Sequence, residues 1–257
     1  MDLAFDVGNT ETVIGWFEEG SLRGHWRVST DGRRTADEYG LTLAQLLAAA
    51  GVDRPVRSAT IGSVVPAMTQ TLAEGCRRHL GVEARAIDAR TPLPIRLDVE
   101  EPLTVGADRI VNTLAATRLY AADCVVVDLG TATTFDCITA DGVFIGGVIS
   151  PGVKTAAANL TERTAKLPRV ELLPPERVIG RRTEACIQSG VFYGAVDAID
   201  GTVDRIRAEW GVGELLVVAT GGLAELVGPY CRTVQQVEPF LTLYGLEFAR
   251  ECLGSGR

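Results

Sequence analysis

At 257 residues, 46% of them hydrophobic, the chain is long enough to bury a large core, as one big domain or as two of roughly 125 residues each. A formal net charge of -8, with basic residues gathered only into doublets such as Arg33-Arg34, excludes a nucleic-acid footprint. No apolar run approaches the roughly 20 residues of a membrane span, and the acidic start "MDLAFD" is unlike a basic signal peptide, so no membrane partner and a cytoplasmic location are expected.

The elements follow in chain order. "FDVGNTETVIG", residues 5 to 15, is a short apolar strand that meets a polar, glycine-containing bend; "TVIGWF" then reads as a second strand, "EEG" as a turn and the next segment as a third strand. In "RRTADEYGLTLAQLLAAAGV", Thr35 and Glu38 form a capping-box pair ahead of an apolar face at Leu41, Leu43, Leu46 and Leu47. "VRSATIGSVV" reads as a buried strand, Pro66 opens the helix "PAMTQTLAEGCRRHLG", and "VEARAID" is a further strand. "TVGADRIVNTLAA" sets Asp108 and Arg109 at the start of a helix whose Ile110, Leu114 and Ala115 face inward. "VVVDLGTATTFDCITADGVFIG" is another run of strands and turns, and the stretch from Pro151 to Gly180 reads as an irregular surface excursion. A long helix from about Thr183 to Trp210, the strand "ELLVVAT" and the turn and helix of "GGLAELVG" complete the pattern. The long helix carries Cys186, Ile187, Val191, Phe192 and Val196, more apolar surface than an outer helix of a monomer should expose.

Sliding the chain by 122 positions lays Asp6–Gly24 over Asp128–Gly146, matching Asp6 with Asp128, Gly8 with Gly130, Thr12 with Thr134, Gly20 with Gly142 and Gly24 with Gly146. Two halves with one ancestor explain the echo, and strand meanders followed by alternating strands and helices indicate two mixed α/β domains, at 1–117 and 118–257.

The chemistry starts from that repeated bend. Glycine and small polar residues let backbone N–H groups approach phosphate oxygens, and an aspartate at a strand end can hold Mg²⁺ through water. Two such hairpins would grip one polyphosphate, with "ATGGLA" (Ala219–Ala224) positioned to wrap a nucleoside. No G-x-x-x-x-G-K-[ST] or G-x-G-x-x-G loop is present, and the only two lysines, Lys154 and Lys166, lie in the irregular stretch, so backbone amides, hydroxyls, a metal ion and arginine must do the work. Asp108 beside Arg109 can accept a hydroxyl proton while its neighbour holds an anionic group of the acceptor, or can simply complement the positive helix end. Two histidines and six scattered cysteines without a C-x-x-C pair speak for reduced, mostly buried thiols and against a disulfide framework, a zinc site or histidine-driven hydrolysis.

"DVGNT", "RTADEYG", "GADRIVN", "VVVDLGTATTFD", "GGVISPG", "AKLPRVEL", "ACIQSG", "ATGGLA" and "LTLYGLEF" occur in an order that resembles the type III pantothenate kinases over essentially the whole chain. The resemblance implies the acetate/sugar-kinase, chaperone ATPase and actin fold: two duplicated actin-like, ribonuclease H-like domains with ATP in the cleft between them, usually as a homodimer. It implies that Asp6, Val7, Gly8, Asn9, Thr10, Glu11, Thr12 and Val13 form the first phosphate loop, with Thr131 touching ATP. By the same matching Asp108 is the proton acceptor, Gly106, Ala107, Asp108, Arg109 and Thr183 contact pantothenate, and Asp128 binds a monovalent cation, potassium or ammonium. The implied reaction carries the γ-phosphoryl group of Mg²⁺-bound ATP to the primary hydroxyl of pantothenate, giving 4'-phosphopantothenate in the first step of coenzyme A biosynthesis.

The chain departs from the family pattern twice: "RLDVEEPLTV" lacks the tyrosine that usually precedes "GADR", and Arg182 stands where a small amide usually precedes the matched threonine. Arg182 is expected to point to solvent. Two other readings stay open, a kinase of another small acid or polyol and a catalytically silent nucleotide-binding regulator; the retention of Asp6, Asp108 and Asp128 speaks against the second.

Overall fold

Period-two alternation broken by two tight turns produces an antiparallel meander, β1 (Asp2–Val7), β2 (Glu11–Glu18) and β3 (Ser21–Ser29). The computed structural model describes residues 1–164 and 166–254. After the meander come α1 (Ala36–Ala49), β4 (Ser58–Ser63), α2 (Pro66–Leu80), β5 (Ala84–Ile87), the two-residue β6 (Arg96–Leu97) and α3 (Ala107–Tyr120). A second meander follows, β7 (Cys124–Leu129), β8 (Ala132–Ile138) and β9 (Val143–Pro151), and then α4 (Val153–Glu162), α5 (Thr183–Trp210), β10 (Leu216–Thr220), α6 (Ala224–Val227), β11 (Gln236–Val237) and α7 (Leu241–Gly254). No described helix is long and apolar enough to cross a membrane.

The chain divides into two units, Met1–Leu119 together with the segment from Thr242, and Tyr120–Leu241. The first sheet has the order β3-β2-β1-β4-β5, and the second, which has six strands because β6 is added beyond β9, contains the run β9-β8-β7-β10-β11 with the same order and strand senses. That identity of topology is the structural form of the sequence echo. The echo is not in perfect register, however. Asp6 pairs with Val13 across the first hairpin, whereas Asp128 pairs with Thr134 across the second, so the second turn is one residue shorter and Thr12 occupies the place of Thr133, not Thr134. Thr12 and Thr133 are both buried.

In the first unit, one sheet face and helices α1 and α2 share a core of Leu3, Phe5, Val7, Ile14, Tyr39, Leu43, Ile61, Met68 and Leu72. The capping box forms as expected: Glu38 N–H donates to Thr35 Oγ1, and Thr35 N–H donates to the Glu38 carboxylate at 2.7 Å. Leu41, expected on the buried face, is 54% exposed, because a residue two positions from Leu43 lies on nearly the opposite side of the helix; Tyr39 takes its place in the core. The other sheet face receives α7. A Cβ on Gly15 would meet Leu243 at 2.8 Å, and one on Gly62 would meet Leu246 at 3.0 Å. Helix α3 lies against α7, where Gly245 packs directly on the backbone of Val111 and Thr242 Oγ1 lies 2.9 Å from Asn112 Oδ1. Arg118 adds an ion pair to Glu251 at 2.8 Å. These contacts assign the last helix to the first unit, so the second ends at Leu241 instead of at the carboxyl terminus, as the division at 118–257 expected.

In the second unit, Ile187, Val191, Phe192, Val196, Ile199 and Val203 of α5 pack with Val125, Val127, Phe135, Val217 and Ala219. The apolar surface named for α5 is thus taken up by the unit's own core, except at Cys186, which is exposed. The expected irregular stretch begins instead as a helix, α4, and only the part beyond it is without regular structure among the described residues. Six cysteines are free thiols, four of them buried.

A methyl group at Gly245 has no room against α3, whereas one at Gly201, within α5, meets nothing within 4 Å. Gly245→Ala should therefore cost about 1–3 kcal/mol in urea unfolding, while Gly201→Ala should be neutral or stabilising by up to about 1 kcal/mol. Equal effects from the two substitutions would contradict this account of α7.

Candidate active site

The first turn is closed by the Gly8 N–H, which donates to the Glu11 carbonyl at 3.0 Å. Asn9, Thr10 and Glu11 are exposed at its tip. It is braced from the exit of β3: the Thr30 N–H donates to the Thr10 carbonyl at 3.0 Å, and the hydroxyls of Thr12 and Thr30 lie 2.9 Å apart. Val7 and Thr12 pair across the hairpin and are buried, so they contribute no exposed side chain; the Val7 carbonyl is taken by the Val64 N–H. Asp6 and Val13 form the next pair and face the side on which α7 packs.

Asp108 sits in the first turn of α3, where an anion is favoured. Its Oδ1 accepts the Arg109 N–H at 2.8 Å and folds back over Gly106, leaving no room there for a Cβ. Gly106 is thus required by the carboxylate's own conformation. Ala107 is buried and Arg109 half-buried.

Within this unit the structure brings Asp6 and Asp108 into electrostatic reach. Asp6 is only half-buried as a residue, but its carboxyl is desolvated, and together with the charge on Asp108 this raises its pKa from 3.8 to about 7; Arg27 pulls in the other direction. Desolvation also raises Asp108, against the Arg109 N–H and guanidinium. Two like charges in one desolvated place disfavour joint ionisation, and the pair titrates as a unit.

In the second unit Asp128 is the penultimate residue of β7, half-buried, and the shorter turn is closed by Gly130 N–H donating to the Ala132 carbonyl at 3.0 Å. Thr131 is exposed, and its carbonyl accepts the Gly152 N–H at 3.1 Å and Thr155 Oγ1 at 2.7 Å. The "ATGGLA" turn docks on the end of β7: Gly221, at φ +88°, presses against Asp128 Oδ1, and a Cβ there would meet Leu129 N at 2.9 Å. Sequence reading assigned that turn to a nucleoside and missed this contact with Asp128; the paired glycines after a strand were the available signal. Thr183 opens α5 and is exposed, as is Arg182 before it, in line with the solvent expectation.

No described group of three or more His, Cys, Asp or Glu side chains forms a protein-only metal cage. A single hard carboxylate at Asp6, disfavoured by its neighbour, does fit a divalent ion that takes most of its ligands from water and phosphate. Asp128 offers a carboxylate oxygen beside the Gly221 turn, the hard donor type that suits a potassium or ammonium ion.

A family model described as type III pantothenate kinase matches residues 2–205. The chain is 48% identical over 254 residues to the type III pantothenate kinase of Moorella thermoacetica, covering 98% of this chain and 99% of that one. It is 44% identical over 252 residues to that of Roseiflexus sp. (strain RS-1), covering 98% of each. Among solved structures, a ROK family glucokinase from Streptomyces griseus in complex with glucose and AMPPNP is 14% identical with a TM-score of 0.53, over 98% of each chain. The activator of the 2-hydroxyisocaproyl-CoA dehydratase from Clostridium difficile with bound ADPNP is 10% identical with a TM-score of 0.54, over 100% of this chain and 98% of that one. These likenesses establish the shared fold, which is of the expected two-domain, actin-like kind.

The raised carboxyl of Asp6 has a definite consequence for stability. The folded protein binds a proton there more tightly than the unfolded chain does, so this contribution is lost as pH rises from the ordinary carboxylate range through about 7. Asp6→Asn should therefore raise the melting temperature at about pH 8, with a gain that shrinks towards about pH 4. Calorimetry at the two pH values checks it, and a lower melting temperature at the higher pH would refute it.

Proposed function

The chain belongs to the type III pantothenate kinases and transfers the ATP γ-phosphoryl group to pantothenate, and from that premise we propose which of its residues carry the reaction. The carrying observation is the Asp6–Asp108 pair in the first unit, with both carboxyls raised above their ordinary range. Asp108 is the general base. It accepts the proton of the pantothenate primary hydroxyl as that oxygen bonds to the γ-phosphorus and the bond from phosphorus to the ADP oxygen breaks, giving 4'-phosphopantothenate. Its raised pKa makes it a stronger base than a solvated aspartate, and the Arg109 N–H fixes its rotamer. The Arg109 guanidinium holds the pantothenate carboxylate, with Gly106, Ala107 and Thr183 completing the acceptor contacts.

Residues Asp6 to Val13 hold the ATP phosphates chiefly through the amides and side chains of the Gly8–Glu11 turn, since Val7 and Thr12 are turned inward. Thr131 contributes from the second unit. Bound at Asp6 through water, Mg²⁺ would neutralise phosphate charge; at Asp128, potassium or ammonium would add a fixed positive charge. The protein acts as a homodimer. Support comes from α5, where Gly190 and Gly194 stand one turn apart on the surface with open space around them, permitting close approach of a second backbone.

Three outcomes are expected. Asp108→Asn should lose about 10²–10⁴ of the turnover rate and keep ATP binding, because an amide preserves shape without accepting a proton. Calorimetric ATP titration beside a coupled ADP-release assay separates the two effects, and more than about a tenth of wild-type activity in the variant would remove Asp108 from its role. A wild-type protein active on another small acid or polyol and inert towards pantothenate would favour the alternative acceptor; one that binds ATP and phosphorylates nothing would favour the silent regulator. Turnover should be high in potassium or ammonium and poor in sodium, and Asp128→Ala should lose that dependence with most of the rate; equal rates in all three salts would eliminate the cation. Light scattering at low micromolar protein should give twice the chain mass, and a monomer that still phosphorylates pantothenate would show the site complete in one subunit.

A further inference from the structure

A phosphoryl-transfer site must neutralise charge on the moving group, and the sequence offers the first unit no lysine for this: Lys154 and Lys166 both belong to the second. Besides a bound metal ion, the permanently charged side chain open to this unit for the task is arginine. Arg23 at the far end of β3 and Arg118 at the far end of α3, paired with Glu251, stand away from both the phosphate turn and Asp108, which leaves four arginines on the segments that carry or brace them. Arg33 is engaged by both oxygens of Asp31 at 3.0 Å, with a side chain 91% exposed. Arg34 lies 5.2 Å above the Tyr39 ring, and Tyr39 belongs to the core on the α1 side of the sheet, away from Asp6. Arg109 is placed on the acceptor. Arg27 differs from all three, because the strand register pairs Asp6 with Val13 and Val13 with Arg27, so these three side chains project from one sheet face in a single row. Its field reaches Asp6, whose carboxyl it pulls down against desolvation. Its side chain is held by one contact, Nη1 to Glu11 Oε2 at 3.3 Å, between groups 37% and 50% exposed. Such a pair is worth at most about 1 kcal/mol, so a phosphate can displace it readily.

We propose that Arg27 is the terminal-phosphate cation of this kinase: on ATP binding it exchanges Glu11 for oxygens of the γ-phosphoryl group and stabilises their charge during transfer to the acceptor hydroxyl. The inference rests on the reading of residues Asp6 to Val13 as the ATP phosphate loop. A guanidinium suits the task because its planar donors engage two phosphate oxygens at once, which an ammonium cannot match in geometry. The exposed position of Arg27 at the end of the row leaves it free to move between the two partners, and Glu11, itself at the turn, parks it beside the loop when no nucleotide is bound.

The test compares ADP with a non-hydrolysable ATP analogue, both with Mg²⁺, by calorimetry on wild type, Arg27→Met and Arg27→Lys, alongside steady-state turnover with pantothenate. Arg27→Met should bind the analogue at least about tenfold more weakly, keep ADP affinity within about twofold, and lose about 10²-fold or more in kcat, with Arg27→Lys intermediate. Parallel weakening of ADP and analogue would make Arg27 a mere support of the turn and overturn the proposal, as would an unchanged preference for the analogue over ADP. If Arg27→Met does not fold, the lysine variant carries the same comparison, and the same outcomes decide it. The acceptor reading fails separately: a wild-type protein inert towards pantothenate whose preference for the analogue still depends on Arg27 would lose its substrate and keep its phosphate cation.

Discussion

The position of Asp108 in the first unit depends on how closely α7 approaches the sheet and α3 approaches α7. Helix α7 can lie on the strands because Gly15 and Gly62 leave room for Leu243 and Leu246, and α3 can lie on α7 because Gly245 has no side chain to keep it off Val111. Those contacts, the Thr242–Asn112 hydrogen bond and the Arg118–Glu251 ion pair hold α3 in place, and with it Asp108 within the field of Asp6. A bulkier residue at any of these glycines would push α7 or α3 aside and move Asp108 with them. The final helix, last in sequence, therefore helps fix Asp108 beside a strand that begins at residue 2.

The carboxylates set there are in conflict with stability. Desolvation and the charge on Asp108 raise Asp6 to about 7, and desolvation raises Asp108, so joint ionisation near neutral pH is disfavoured. Arg27 offsets part of this penalty from along the strand row, and Arg109 offsets part from the helix start. A stable carboxyl pair, well solvated, would be a weaker base and a weaker attraction for metal-bound phosphate.

Duplication gave the two units one strand order and left them different ends. The first turn has the extra residue, carries the exposed Asn9, Thr10 and Glu11, and is braced by Thr30. The shorter second turn is instead locked from behind by Gly152 and Thr155, and Asp128 beside it is covered by Gly221. One ancestral hairpin thus became a projecting donor loop in one unit and, in the other, a carboxylate packed against peptide groups. The one-residue difference is enough to change which side chain faces which way, since successive residues of a strand point to opposite faces.

Much was legible in the sequence because it is written locally. The Thr35–Glu38 capping box, the Pro66 helix start, the long helix from Thr183 to Trp210 and both meanders depend on neighbours within a few residues, and each forms as read. The ordered motifs likewise marked the family. Other features were decided by long-range packing. Leu41 was exposed and Tyr39 buried by the rotation of α1 on its sheet; the apolar face of α5 was taken by its own unit; α7 was returned to the first unit by glycine contacts with residues more than a hundred positions away. Arg27 is the clearest case. Nothing in "GHWRVST" distinguishes it from other surface arginines, and only strand register, which aligns residue 27 with 13 and 13 with 6, sets its charge on the face of Asp6. Sequence determines which residues can do chemistry, but pairing across a sheet joins residues by hydrogen-bond register, and register is settled only when the whole face finds its core.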